Sequence, residues 1–438
     1  MLKLFYKIYL PVIILLLLGY TAKVNWNDGQ WQNVLEADAK GYYAYLPAVF
    51  VFHDLNFGFY QKAEVENATD PNLVYDYRVT YHGHTIDKYF VGEALLLAPF
   101  YETAHILTKL SSKHADGYSR YYVISITLAA LFYLFLGLIA LKKTMELYGF
   151  EKFTIFIVIT VIVFGTNLFY YSIGEMGMSH VYSFSMVSLF MLYVTKYFRD
   201  YRLKYILYAA LFFGLVVLIR PVNAMVILSV PFLAQRKENL IKGLKNYISH
   251  PGTMAASIFI VLMFISIQLV IYKLQTGSFF VYSYGEEGFN FKAPQIINFL
   301  FSYKKGLFIY TPVTFVSLFG FIYLWKDKYR FFTLLSFLFI IVYVLSSWWM
   351  WYYGGSFSSR VMVEYLPYFA MLLGFLYKGF VKQWQKIAFI GILFFLTTVN
   401  QVQTLQYRYY IIHWSAMNKE RYWNVFMDIK PILNRKTQ

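Results

Sequence analysis

A few polar constellations interrupt a chain that is otherwise strongly apolar. The earliest runs Glu36-Ala37-Asp38-Ala39-Lys40-Gly41-Tyr42-Tyr43-Ala44-Tyr45-Leu46-Pro47. A carboxylate at the head of such a run can cap a helix, satisfying orphan amide N–H groups. It can equally take a proton from an incoming hydroxyl. A second group follows, His82-Gly83-His84-Thr85-Ile86-Asp87-Lys88-Tyr89. The paired histidines and Asp87 have the ligand types of a divalent metal site, although histidines alternating on an extended segment are more often ordinary loop residues. Lys88 offers a cation for a lipid phosphate or an anionic headgroup.

Three later groups carry comparable potential. Glu175 and His180 lie in a short link, Tyr171-Ser172-Ile173-Gly174-Glu175-Met176-Gly177-Met178-Ser179-His180, where helix capping is the plain alternative to a polar site. Segment 279–312 contains Glu286, Glu287, Lys304, Lys305 and Gly306. Paired lysines before an apolar run suit a bound anion, with snorkelling as the competing explanation. Finally, Trp348-Trp349-Met350-Trp351-Tyr352-Tyr353-Gly354-Gly355 leads to Arg360. Glycine permits close backbone approach, guanidinium grips phosphate by two parallel hydrogen bonds, and aromatic faces such as Tyr42 and Trp351 can line a sugar.

The elements that position these residues must be membrane helices. Hydrophobic residues make up 59% of the 438 and charged residues 14%, which cannot be arranged as water-soluble globules. Apolar runs lie at 9–22, 121–141, 153–171, 181–197, 205–219, 222–234, 254–272, 309–324, 331–347, 361–377 and 387–404, about eleven spans in an all-α integral membrane protein. Arg220-Pro221 would form the hairpin between two of them. Aromatics, at 22% of the chain, crowd the ends of the runs and read as interface anchors. With no cysteine, thiolate metal sites and thiol nucleophiles are excluded.

The net charge of +16 resides mostly between the runs, so it speaks for topology and not for a nucleic-acid partner. Alternate links are basic: Lys142, Lys143 and Lys152; Lys196, Arg199, Arg202 and Lys204; Arg236, Lys237, Lys242 and Lys245; Lys326, Lys328 and Arg330; Lys378, Lys382 and Lys386. The positive-inside tendency puts these in the cytoplasm with the N-terminus, after a retained first span. The opposite links, 23–120, 172–180, 273–308, 348–360 and the tail 405–438, then face outward, with the C-terminus. Segment 89–110 carries Glu93, Glu102, His105, Lys109 and Pro99, which favours helices lying along the outer surface of the first loop. Asn67-Ala68-Thr69 forms a sequon on that same predicted face. The chain shows no internal repeat and reads as a single transmembrane domain.

In the order of these parts the chain resembles the GT-C superfamily of polytopic glycosyltransferases, in the branch of protein O-mannosyltransferases and lipid A aminoarabinose transferases. The resemblance covers nearly the whole chain. It implies that Asp38, or its neighbour Glu36, is the catalytic base. Asp87-Lys88-Tyr89 is similar to the family's acidic-Lys-Pro element, with tyrosine in place of proline, which implies that Lys88 meets the lipid phosphate. Glu175 or His180 would take the place of the family's second acid, and Arg360, with Lys304 or Lys305, would face the donor phosphate.

The implied reaction moves a sugar from a polyprenyl-phosphate donor to an acceptor outside the cytoplasm of a bacterial inner or plasma membrane. No cofactor is required by the sequence, and a divalent metal is a further option. The rival class is a transporter or lipid flippase, which tends to show internal repeats and mid-bilayer charges, whereas these runs are almost free of charge. A polysaccharide polymerase or ligase would need its large outer loop late in the chain, and a lipid-binding scaffold would need no catalytic group.

Overall fold

A computed structural model describes residues 2–26, 30–66, 74–111 and 114–435; the Asn67-Ala68-Thr69 sequon and the C-terminal Gln438 lie outside them. Every apolar run in the sequence is helical. The first lies in α1 (Leu2–Asn25). The first loop then holds α2 (Asp38–Phe50), an antiparallel hairpin of β1 (Arg78–Tyr81) and β2 (His84–Asp87), and α3 (Gly92–Leu110). Next come α4 (Arg120–Leu147), α5 (Lys152–Phe164), α6 (Leu168–Ile173), α7 (His180–Asp200) and α8 (Lys204–Ile219).

At Arg220-Pro221 the run 222–234 becomes a 3-10 helix, Pro221–Ser229, and a single turn, α9 (Val230–Leu233). The expected hairpin between two full spans is therefore a reversal into a short segment, because proline removes an N–H and blocks continuation of α8. After α10 (Lys237–Ile248) and α11 (Pro251–Thr276) come α12 (Ile296–Phe301), α13 (Leu307–Tyr310), α14 (Pro312–Ser317) and α15 (Gly320–Leu324). Run 309–324 is thus divided among short helices, with a break at Thr311-Pro312 for the same reason. The bundle closes with α16 (Lys328–Ser346), a 3-10 turn Arg360–Tyr365 continuing into α17 (Leu366–Gly379), and α18 (Gln383–Arg408).

Among the described residues five helices, α1, α4, α11, α16 and α18, are long and apolar enough to cross a bilayer. Length and composition together make this an all-α membrane protein. The helices have two chemically distinct ends. At one end, Tyr6 at the start of α1 donates to Glu146 at 2.9 Å, and Lys142 donates to the Tyr6 carbonyl at 3.0 Å. There Tyr148 also reaches the Phe232 carbonyl, so several basic links converge. At the other end, Asn25 donates to the Ile173 carbonyl and accepts from Arg408 at 2.7 Å, joining the finishes of α1, α6 and α18.

The tyrosines depart from expectation. Many of them form a buried core for the first loop and do not stand in a surface belt: Tyr43, Tyr45, Tyr77, Tyr101 and Tyr122 are fully buried. A buried phenol usually directs its hydroxyl to a partner, although the Tyr101 hydroxyl is buried without one. Tyr45 donates to the Tyr89 carbonyl, and Tyr77 and Tyr118 both donate to Glu64 at 2.8 Å, which also pairs with Lys40 at 3.4 Å. α2 is thereby tied to the hairpin and to the start of α4. α3 packs on α4 and crosses the end of α8 at Gly92, where a β-carbon would collide with the backbone of Leu218 and Ile219.

Candidate active site

Asp38 is the first residue of α2, and its side chain does not cap that helix. Ala37 precedes it with φ 47°, a left-handed conformation that turns the chain sharply into the helix. Both Asp38 oxygens are engaged elsewhere: Oδ2 accepts from Arg360 Nη2 at 2.6 Å, and Oδ1 accepts from the Tyr89 hydroxyl at 2.7 Å. The hydroxyls of Tyr75 and Tyr89 are 2.6 Å apart, which makes a short phenol chain leading to the carboxylate. Tyr42, one turn along α2, packs its ring on Tyr89 with centroids 4.7 Å apart. Burial pushes the Asp38 carboxyl up, but the Arg360 charge and the Tyr89 hydrogen bond outweigh it and hold it below the usual range. This arrangement favours the carboxylate form of Asp38, which accepts two hydrogen bonds.

Arg360 reaches Asp38 across 322 residues of chain because the loop before it is tightly held. Gly354 turns at φ +67°, a conformation costly for residues with a β-carbon. Phe357 donates its N–H to the Tyr171 hydroxyl at 3.0 Å, and Asn167 donates to the Ser359 carbonyl. The break between α5 and α6 therefore has a use: it places Asn167 and Tyr171 beneath the arginine.

Glu175 and Lys305 lie on the α6 side of Arg360. Glu175 accepts from Tyr170 at 2.9 Å; burial raises its carboxyl to about 7, against the Arg360 charge, while Glu36 and Asp38 add to the rise. Lys305 is 2% exposed, donates to the Ser356 carbonyl and lies over the Tyr407 ring at 4.9 Å. Burial lowers its ammonium to about 7, with Glu175 opposing and Arg360 and Lys304 reinforcing the shift. Lys304 itself sits on the Tyr352 ring at 3.4 Å, outside this cluster. Trp351 packs edge to face on the same Tyr352. The Glu36 carbonyl accepts from the Ala39 N–H in the turn that starts α2.

Lys88 occupies a neighbouring pocket. Its ammonium pairs with Glu287 at 2.6 Å and lies 5.3 Å from the Tyr284 ring centre, and Ser283 donates to its carbonyl at 2.8 Å. The late outer segment thus folds back onto the first loop. Asp87 is wholly buried and accepts from the Tyr89 N–H at 2.8 Å; burial pushes its carboxyl well above the usual range. It fixes the backbone that carries Lys88 and Tyr89. His84 is exposed and Asp87 buried on the same strand, and their odd spacing puts the two side chains on opposite faces. Among the described residues no group of three or more His, Asp or Glu side chains is placed to hold a metal ion.

His180 belongs to a different cluster. Glu364, fully buried, offers one oxygen to both His180 Nδ1 at 3.1 Å and Arg220 at 3.2 Å. Arg220 comes from the broken end of α8 and Glu364 from the 3-10 turn that begins with Arg360. Sequence reasoning passed over Glu364 and Tyr75, read Arg220 only as part of a hairpin and Tyr89 only as the residue in proline's place, and named Glu287 without giving it a partner. The signal for the charged pair was present: a lone arginine and a lone glutamate in apolar runs are expensive unless used. The tyrosines carried no such signal among 43 of their kind.

No protein-family model matches this chain, and no curated protein matches it either.

Proposed function

We propose that this protein is a membrane glycosyltransferase of the GT-C kind, with about eleven passes through the bilayer, which takes a sugar from a polyprenyl-phosphate donor and delivers it to an extracytoplasmic acceptor. The observation that carries this reading is the meeting of Asp38, from the first loop, with Arg360, from the last, beside Lys88 and its pocket. An acid next to two cations is the pairing that inverting transfer from a lipid phosphate requires. The acceptor oxygen attacks the anomeric carbon, its proton passes to Asp38, and the bond to the phosphate oxygen breaks with its electrons leaving on the lipid phosphate. Arg360 and Lys88 neutralise that developing charge, where fixed cations favour the transition state over the ground state.

A lipid-linked donor is supported by the surroundings of Lys88. The pocket holding Lys88, Tyr284 and Glu287, about 130 Å³, shares Tyr81 and Tyr282 with a larger groove of about 480 Å³. That groove is lined by Phe90, Leu218, Ile265, Leu269, Phe280 and Val281 and opens between α8 and α11. An apolar groove adjoining a cation-bearing pocket suits a prenyl chain that ends at a phosphate.

The test is incubation of purified protein with radiolabelled polyprenyl-phosphate sugars and membrane extract, following label as it leaves the lipid. Asp38→Asn is expected to abolish transfer while the protein still inserts into membranes; near-normal turnover would refute the assignment. A transport reading draws on one observation, the buried His180, Arg220 and Glu364 cluster among apolar helices. Substrate flux in sealed proteoliposomes, without chemical change of the substrate, would favour it.

A further inference from the structure

Asp38 faces a crowd of groups: Arg360 and Lys88, the phenols of Tyr42, Tyr75, Tyr89 and Tyr284, and Glu175. Of these, Arg360 alone forms a charged hydrogen bond to it, at 2.6 Å. Both partners are mostly covered yet reachable, with 14% of the Arg360 side chain and 17% of Asp38 exposed. The guanidinium is incompletely used: its Nε is buried without a hydrogen-bond partner. A planar fork with one edge on a carboxylate and another donor unused suits a second anion with parallel oxygens.

Resting on the glycosyl-transfer reading above, we propose that Arg360 is exchanged between two anions: the donor's phosphate diester takes the guanidinium from Asp38, and the carboxylate thereby becomes free to accept the acceptor's proton. Donor binding would then switch on the base, and acceptor would react only after donor. The chemistry follows from the balance at Asp38. Burial works against its charge, and the arginine is the largest opposing influence. Once the arginine leaves, the same burial makes the carboxylate more basic. A base held in a strong ion pair until the leaving group's cation is engaged would also limit wasteful attack by water.

The test uses the full-length protein in nanodiscs and farnesyl methyl phosphate, a diester with a lipid tail whose own charge does not change near neutral pH. Binding is followed by calorimetry in buffers of different ionisation enthalpy between pH 5 and 7. The expected result is fractional proton uptake on binding by the wild type, largest at pH 5 and fading towards pH 7, where the released carboxylate stays unprotonated and able to act as the base. Asp38→Asn should bind about tenfold more tightly or better, because a charged hydrogen bond no longer competes, and should lose the uptake. Glu175→Gln should keep it, which separates Asp38 from the nearby group that titrates in the same range. Arg360→Gln should bind more weakly and take up no proton at Asp38; this arm stands even where Asp38→Asn fails to fold.

Absence of binding by the wild type, binding without proton uptake, uptake that persists in Asp38→Asn, or no gain in affinity in that variant would each overturn the exchange. The wider reading fails separately: binding with proton uptake, but no transfer from any polyprenyl-phosphate sugar, would retain the exchange and reject the glycosyltransferase.

Discussion

Glu364→Gln is the most informative perturbation of the scaffold behind the site. The glutamate is fully buried, and one of its oxygens serves both Arg220 and His180. Glutamine keeps the volume and one acceptor but leaves the Arg220 charge uncompensated. Breaking a buried ion pair from one side costs about 3–5 kcal/mol. Arg220 is 17% exposed, and solvent at that edge favours the lower figure, about 3 kcal/mol. Thermal and denaturant unfolding in one detergent measures the loss, and the double variant Arg220→Gln/Glu364→Gln completes the cycle. With both charges gone, the double variant should be more stable than the sum of the single losses predicts, by at least about 1.5 kcal/mol. Additivity within about 0.5 kcal/mol would refute the reasoning. Since Arg360 begins the 3-10 turn that contains Glu364, sugar transfer by Glu364→Gln should also fall, and its loss should exceed what the reduced folded fraction explains.

Further expectations are open to measurement. Lys305 gives up its proton near pH 7 when folded, whereas the unfolded lysine keeps it to about 10.5; the unfolded chain binds more protons in that window. Stability should therefore rise with pH from about 7 towards 10, by no more than about 1.4 kcal/mol per unit, and melting curves of Lys305→Met should lose that rise. Gly92→Ala places a β-carbon against the backbone of Leu218 and Ile219, so it should destabilise the protein and shift Arg220, with a fall in melting temperature as the readout. Lys88→Ala should raise the KM for lipid donor, while Glu287→Ala, which releases the ammonium, should lower it; equal effects would argue for a purely structural pair. Reporter fusions at the two termini should report the N-terminus from the cytoplasm and the C-terminus from outside.

Much of this architecture was readable from residue order. Apolar runs too long for any soluble core had to become helices, because a bilayer leaves no other partner for backbone N–H and C=O groups. Helical structure appears in every such run, and the basic links at Lys142 and the 234–243 region meet at one end of the bundle. Asp38 and Arg360 were both recognisable as chemistry-bearing residues from their type and setting. What composition misjudged was the tyrosines, since a phenol at the end of an apolar run suits a membrane belt and a hydrogen-bonded interior equally well.

Tertiary structure decided who meets whom. That Asp38 is held by Arg360 and Tyr89, that Lys88 is matched by Glu287, and that Lys305 is sealed against Ser356 and Tyr407 are consequences of loops closing over one another. The partners stand up to 322 residues apart, far outside any helical or strand period. Local pattern determines which segments bury themselves and which stay polar, because those choices depend on neighbours a few positions away. The pairing of charges depends on how whole helices stack, whereas the breaks at Thr311-Pro312 and Arg220-Pro221 follow from proline in the sequence; only the tertiary fold turns them into supports for the site.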